Sequence, residues 1–139
     1  AKRMKNTVLD SWALMAFFNG EPAAPRVRDR FDQAMESGGL LALCVVNWGE
    51  VVYHFERAGG ASAAASVIRD IDNLPIEVVS VNRDLTRLAA GFKARGGISY
   101  ADAFSAALAK ERNAGLLTGD PELKALEKEI KILWLGRSL

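Results

Sequence analysis

Short, continuous apolar runs alternate along the chain with longer stretches in which apolar residues recur every three or four positions. Five of the short runs have the length of β-strands: residues 7–9, 40–46, 76–81, 115–118 and 130–135. Continuous rather than alternating apolar residues are typical of strands that are buried on both faces, as in a parallel sheet. The runs therefore predict five strands in a largely parallel sheet.

The stretches between the runs carry the spacing of amphipathic helices. Leu85, Leu88, Ala89 and Phe92 follow the i, i+3, i+4, i+7 pattern of one helix face. Two further stretches repeat this spacing, with Val27, Phe31, Ala34 and Met35 in one and Ala103, Phe104, Ala107 and Leu108 in the other. Strands separated by helices require crossover connections. The pattern predicts a three-layer α/β/α fold around a mostly parallel central sheet.

Three Gly-Gly pairs follow these helical stretches, at 38–39, 59–60 and 96–97. Glycine commonly occupies the left-handed position that ends a helix, so each pair predicts a helix C-terminus. A length of 139 residues suits one domain, which we expect to span residues 1–139.

Composition and charge exclude several classes of protein. Half of the residues are hydrophobic and a quarter are charged, which excludes a disordered, collagen-like or disulfide-stabilised chain. Lysine and arginine number 18 against 17 acidic residues, for a net charge of +1. Such a balance carries no global signature of a nucleic-acid- or membrane-binding protein. Any contact with RNA or DNA must use a local surface.

The single cysteine and the absence of long apolar segments predict a cytoplasmic location. Cys44 lies inside an apolar run and cannot form an intrachain disulfide, so we expect a buried thiol in a reducing compartment. No apolar stretch approaches the length of a membrane span. Residues 1–6 are basic but lack the apolar core of a signal peptide.

Four acidic residues from distant parts of the chain follow predicted strands or begin predicted helices. Asp10 ends the first strand, Glu50 lies in the first turn of the helix after the 40–46 strand, and Asp102 lies in the first turn of a helix that begins near Ser99. Asp120 follows the strand that ends at position 118. The carboxyl ends of parallel strands form the ligand crevice of such a sheet, so all four could meet there.

Helix capping explains each acid separately. Asn47 with Glu50 resembles a capping box, as does Ser99 with Asp102, while Asp10 and Asp120 precede predicted helices. Convergence of all four would instead raise the pKa of each carboxylate and require a compensating cation. Because the ligands are oxygens without a histidine or cysteine, that cation would be Mg²⁺ or Mn²⁺.

Four segments resemble the motifs of PIN-domain nucleases. They are VLDSWAL at 8–14, NWGEV at 47–51, ISYADA at 98–103 and LLTGD at 116–120. Their order and the chain length are similar to those of the VapC-type toxins of bacterial toxin–antitoxin pairs. The resemblance implies a PIN-like fold, metal-dependent hydrolysis of RNA with Mg²⁺ or Mn²⁺, a cognate antitoxin protein and a homodimer.

The same resemblance assigns roles to the residues in the motifs. It implies catalytic, metal-binding roles for Asp10, Glu50 and Asp102, and a second-site or water-mediated role for Asp120. Ser11 and Thr118 would orient the carboxylates by hydrogen bonding. Asn47 either hydrogen-bonds near Glu50 or caps the helix, and Glu122 is either a spare carboxylate or an exposed first-turn residue.

Other interpretations remain open at this point. A receiver-like phosphoacceptor domain also gathers acids at strand ends, but it needs an acid pair near the first strand and a lysine after the last one. A PIN-like module without catalysis is a further alternative.

The only histidine, His54, lies in mid-helix and suits packing or the surface, which excludes a Ser-His-Asp site. Residues 12–18 are apolar at every position and form either core or an interface.

Overall fold

A computed structural model describes residues 6–136 of the chain. The elements are β1 (Thr7–Leu9), α1 (Ser11–Phe18), α2 (Ala24–Ser37), β2 (Leu41–Cys44), α3 (Val45–Asp72), β3 (Ile76–Val79), α4 (Arg83–Ala94), α5 (Tyr100–Arg112), β4 (Gly115–Thr118), a 3-10 turn (Pro121–Leu126) and β5 (Ile132–Trp134). Residues 1–5 and 137–139 lie outside the described part. Most of the basic start and both ends of the predicted 1–139 domain therefore fall beyond it.

The five strands form one parallel sheet in the order β3-β2-β1-β4-β5. Strand β1 is central, with Val8 aligned to Ala42 of β2 and to Leu116 of β4. Successive residues of a strand point to opposite faces. Accordingly Val8 packs with residues of α4 and α5, whereas Leu9 packs with residues of α1, α2 and α3. The predicted three-layer α/β/α architecture is confirmed.

The prediction that strands are buried on both faces is confirmed for the three inner strands β2, β1 and β4. It is wrong for the edge strands β3 and β5. Every residue of β1 and β2 is buried, whereas β3 and β5 are half-buried or exposed. Three strands are also shorter than predicted. The 40–46 run is a strand only over Leu41–Cys44, because Val45 and Val46 already form the first turn of α3. The runs at 76–81 and 130–135 shrink to Ile76–Val79 and Ile132–Trp134.

Two of the glycine pairs end helical segments. Gly38 ends α2 with a left-handed φ of 73°, as predicted. Gly60, with φ 78° and ψ −172°, ends the first of two helical segments that meet at a kink within α3, also as predicted. Met35 was expected on the buried face of α2 but is 69% exposed. It lies two residues before the end of the helix, where this face no longer packs on the core.

Several smaller predictions are settled by burial. Cys44 is a buried free thiol, and His54 is exposed with its ring against Phe55. In α1, Ala13, Leu14 and Ala16 are buried, while the four large side chains Trp12, Met15, Phe17 and Phe18 are half-buried. Within residues 6–136, no helix combines the length and apolarity needed to traverse a bilayer.

Candidate metal centre

The acids meet at the carboxyl edge of the three inner strands. Asp10 follows β1 directly, and Asp120 follows β4, which pairs with β1. Helix α5 packs across β1, β2 and β4 and brings the Asp102 side chain to the same edge from its first turn. We call Asp10, Glu50, Asp102, Asp120 and Glu122 the acid cluster.

Asp10 is fully buried and held by hydrogen bonds at both carboxylate oxygens. Its Oδ1 accepts from the Ala13 amide at 2.9 Å, and its Oδ2 accepts from the Thr118 hydroxyl. The Thr118 oxygen in turn accepts from the Asp120 amide at 2.9 Å. Asp10 therefore caps α1, as one sequence interpretation expected, and is also tied through Thr118 to the segment that carries Asp120.

Three carboxylates form the tightest group of the cluster. One oxygen from each of Asp102, Asp120 and Glu122 lies within 4.8 Å of the others. Asp102 is buried, Asp120 is half-buried and Glu122 is exposed. The Asp102 amide donates to the capping hydroxyl of Ser99 at 3.1 Å, which confirms that predicted cap.

Glu122 belongs to this group although its position also fits the exposed first-turn alternative. Its amide donates to Asp120 Oδ1 at 3.0 Å, which makes Asp120 the predicted N-cap. Its carboxylate accepts from the Ser99 amide at 3.2 Å and so faces the start of α5. The signal in the sequence is the short Asp-Pro-Glu spacing, because the tight 3-10 turn brings both side chains to one side.

Glu50 lies on the Asp10 side of the cluster. The Ser11 hydroxyl donates to Glu50 Oε1 at 2.5 Å, as the expected orienting role for Ser11 requires. The predicted first-turn position of Glu50 is wrong: α3 starts at Val45, so Glu50 lies in the second turn. One more helical turn carries the carboxylate past the capping position and toward β1.

Asn47 does not cap a helix, so that interpretation is wrong. The N-cap of α3 is Cys44, and Asn47 lies inside the first turn with its side chain fully buried. Its Nδ2 donates to the Ala101 carbonyl at 3.1 Å and links α3 to the first turn of α5. Its Oδ1 has no hydrogen-bond partner among the described residues. The link joins the helices that carry Glu50 and Asp102.

Burial and mutual repulsion make two of the carboxylates weak acids. Burial raises the pKa of Asp10 from its ordinary 3.8 to about 7, opposed by the hydrogen bonds from Thr118 and Ala13 and assisted by the charges of Asp120 and Glu50. Burial raises the pKa of Asp102 to about 9, with further contributions from the Asp120 carboxylate and the charge of Asp10. The rise in pKa that convergence predicts is therefore found for Asp10 and Asp102.

The arrangement fits a divalent cation. In the described part of the chain, the acidic partners of ion pairs are Glu77 and Glu129, and the acid cluster has no such basic partner. The orphaned Asn47 Oδ1 is a further buried oxygen without a donor. Oxygen ligands alone, with several carboxylates, suit a hard ion such as Mg²⁺ or Mn²⁺. A cation would neutralise the charge that the protein leaves uncompensated.

The geometry disfavours a receiver-like phosphoacceptor. Lys131 immediately precedes β5 and therefore lies at the amino end of that strand. In a parallel sheet this end is opposite to the carboxyl edge where the acid cluster lies. Lys131 therefore cannot supply the cation that such a site would need beside its acids.

Comparisons with known proteins agree with this geometry. The model of the PIN domain family matches residues 7–129. A search of curated protein sequences found no significant match.

Among solved structures, the chain is similar to DNA-bound VapBC from Salmonella typhimurium, with 18% identity and a TM-score of 0.70 over 94% of this chain and 98% of that chain. VapBC2 from Rickettsia felis, bound to a promoter DNA fragment, shows 14% identity and a TM-score of 0.69 over 91% and 96%. The VapC20 toxin of Mycobacterium tuberculosis, which cleaves the sarcin–ricin loop, shows 18% identity and a TM-score of 0.66 over 86% and 93%.

These likenesses identify the fold, and the family model covers most of the chain. The resemblance that four sequence motifs indicated is confirmed: this protein belongs to the PIN domain family.

Proposed function

We propose that this chain is a metal-dependent endoribonuclease that acts as the toxin of a toxin–antitoxin pair. The observation that carries the proposal is the convergence of five carboxylates, including all four acids predicted from the motifs, at one edge of the sheet. Membership of the PIN family supports nuclease chemistry. Similarity to VapBC structures and to VapC20, a toxin that cleaves the sarcin–ricin loop, supports the toxin role.

Mg²⁺ or Mn²⁺ is the proposed cofactor. Asp10, Asp102 and Asp120 would hold it with Glu50, and Glu122 adds a carboxylate that the motif resemblance did not assign. When bound, a divalent cation neutralises the phosphodiester charge and lowers the pKa of water that attacks phosphorus. The three acids of the tight group would form one side of the site and Asp10 with Glu50 the other.

Other residues of the chain would orient the carboxylates of the site. The Ala13 amide and the Thr118 hydroxyl fix both oxygens of Asp10, so the carboxylate does not reorganise during the reaction. The Ser11 hydroxyl holds Glu50 in the same way. Asn47 sets the spacing between α3 and α5 and so between their acids. Such supporting bonds fix ligand geometry and raise the affinity of a metal site.

The partners follow from the same proposal. The substrate is RNA, and the cognate antitoxin is a separate protein, as in the VapBC complexes of similar fold. A homodimer is proposed from the resemblance to VapC-type toxins. The free, buried Cys44 is compatible with a cytoplasmic location, which we also propose.

The decisive test is cleavage of total RNA with Mg²⁺, with Mn²⁺ and with EDTA. We expect cleavage with either ion and none with EDTA. Asp10→Asn should be inactive, since it removes a charge at the centre of the cluster. Asp84→Asn changes an exposed acid in the first turn of α4 and should retain full activity. Cleavage that persists both in EDTA and in Asp10→Asn would refute the mechanism, and a complete lack of cleavage by the wild type would favour the non-catalytic module.

Thr118→Val tests the orienting role of the hydroxyl. The substitution keeps the shape of the side chain but removes the donor to Asp10 and the acceptor of the Asp120 amide. We expect RNA cleavage to fall by about 10- to 100-fold, with a higher Mg²⁺ concentration needed for half-maximal rate. Thr118→Ser should restore most of both.

Thr86→Val is the matched control for this substitution. The Thr86 hydroxyl also donates a hydrogen bond, at 2.7 Å to the Asn82 carbonyl, but it lies on α4 away from the acid cluster. Its loss should leave cleavage unchanged. Equal rates for Thr118→Val and the wild type would show that the hydroxyl does not position Asp10.

A further inference from the structure

A cavity lies against the outer face of α1, beside the acid cluster. It encloses about 500 Å³, within the range of roughly 300–1,000 Å³ that small-molecule sites occupy. Trp12, Met15 and Asn19 line it from one helical face, at i, i+3 and i+7. Leu135, Gly119 and Arg26 belong to the other walls. We call this space the α1 cavity.

Two residues that line the cavity, Trp12 and Gly119, are close in the chain to acids of the proposed active site. Trp12 comes two residues after Asp10, so their Cα atoms lie within about 8 Å of each other. Gly119 directly precedes Asp120. A group bound in the α1 cavity therefore contacts the segments that carry Asp10 and Asp120.

Close packing between Trp12 and Gly119 builds this boundary. A Cβ at position 119 would lie 2.2 Å from Cη2 of the Trp12 indole and 2.4 Å from its Cζ3. No residue with a side chain could occupy position 119 while the indole keeps its place. The half-buried indole is thus held against the backbone of the segment that leads to Asp120, which fixes the ring as a rigid wall.

The walls combine apolar and polar groups in the way a flat heterocycle requires. The Trp12 indole and the Met15 thioether offer apolar and aromatic surface, while Asn19 offers both amide donors and an acceptor. The exposed Arg26 donates to the Gly136 carbonyl at 3.0 Å, which holds its guanidinium at the cavity. A guanidinium carries further N–H donors that suit a phosphate or a base edge.

We propose that the α1 cavity is a subsite for an unpaired nucleobase of the RNA substrate, next to the phosphate that is cleaved, with Trp12 as its stacking surface. The inference rests on the proposed ribonuclease function and adds how the substrate is positioned. Proteins recognise single-stranded RNA by stacking splayed bases on aromatic rings and by hydrogen bonds to their edges. An apolar protein segment would not use the amide and guanidinium groups at the rim.

The first test follows the indole N–H signal of Trp12 by NMR in EDTA, with the signal assigned through Trp12→Phe. The probes are a single-stranded RNA oligonucleotide of mixed sequence and an abasic oligonucleotide of the same length and charge. We expect the RNA to shift the Trp12 signal and the abasic chain to leave it in place. This measurement uses the intact protein and does not depend on the folding of a variant.

The second test measures cleavage kinetics. Loss of base stacking weakens binding by about 5- to 150-fold, so Trp12→Ala should raise KM by that factor and lower kcat less. Trp12→Phe should recover most of the loss. Met35→Ala is the control, because it also removes an exposed apolar side chain but lies at the end of α2, outside the cavity.

The outcomes separate this inference from the proposed function. Wild-type protein that cleaves no RNA contradicts the proposed function itself. Wild-type protein that cleaves RNA while Trp12→Ala keeps the wild-type KM, or while the Trp12 signal ignores the base-containing probe, overturns only the subsite. A Trp12 signal that shifts with an amphipathic helical peptide and not with RNA overturns it in favour of a protein partner.

Discussion

Asp102→Asn is expected to yield a protein that is more stable than the wild type in EDTA and has lost its nuclease activity. The Asp102 carboxyl is buried beside Asp120 and Asp10, and burial raises its pKa to about 9, so its ionised form is unfavourable there. Because each pKa unit corresponds to about 1.4 kcal/mol, a neutral amide of the same shape should add roughly 2–4 kcal/mol to the free energy of unfolding near neutral pH.

The same change removes a ligand of the proposed cation. Metal ions stabilise the charge of the transition state by several kcal/mol, so loss of a ligand should slow RNA cleavage by about 10³-fold. Urea denaturation in EDTA and RNA cleavage in Mg²⁺ measure the two effects. Asp84→Asn, on an exposed helix start, should change neither by much. A variant that is less stable than the wild type in EDTA would show that Asp102 is a structural residue.

The stability of the metal-free protein should fall as the pH rises. The folded pKa values of Asp10 and Asp102, about 7 and about 9, lie above the ordinary value of 3.8. Unfolding therefore releases protons at any pH between the unfolded and folded values, and it becomes more favourable as the pH increases. The contribution of these two groups to stability is fully present below the ordinary pKa of 3.8 and is lost as the pH rises through the folded values. Ionisation of Asp10 alone should lower the free energy of unfolding by on the order of 4 kcal/mol between the two ends of this pH range.

Mg²⁺ should cancel or reverse this dependence. A metal binds the ionised carboxylates, so its stabilisation grows with pH and reaches about 3 kcal/mol when its concentration is about 100 times the Kd. Denaturation curves in EDTA and in Mg²⁺, from about pH 5 to about pH 9, measure both trends. His54→Asn is the control for the only histidine, which is exposed, and should preserve the profile. Parallel curves with and without Mg²⁺ would contradict a metal site formed by these acids.

Both predictions rest on the same cause: the buried carboxylates that form the proposed site destabilise the fold. Asp10 and Asp102 are buried by the same packing of α5 on the inner strands that brings the acids together. We expect removal of either charge to stabilise the fold and to abolish RNA cleavage. The hydrogen bonds from Ala13, Thr118 and Ser11 hold the carboxylates in place against their mutual repulsion.

Local pattern was sufficient to predict most of the fold. Apolar runs identified five strands, and helical spacing with caps at Ser99, Asp120 and Asp10 identified where helices begin. The start of α3 was misplaced because Val45 and Val46 have strand propensity, yet the chain turns into a helix directly after Cys44. The N-cap is Cys44 instead of Asn47, a shift of three residues that moved Glu50 from the first turn to the second and made Asn47 a buried link to α5.

The sequence by itself determined the order of strands and helices, the placement of Asp10, Glu50, Asp102 and Asp120 near strand ends, and the family. These follow from periodicity, capping and motif order, which are properties of neighbouring residues. Only the tertiary structure decided that Glu122 lies with the other acids. It also decided that the Trp12 ring packs against Gly119 and lines a cavity near them. Those facts depend on distances between residues far apart in the chain, which are set by strand order and helix packing.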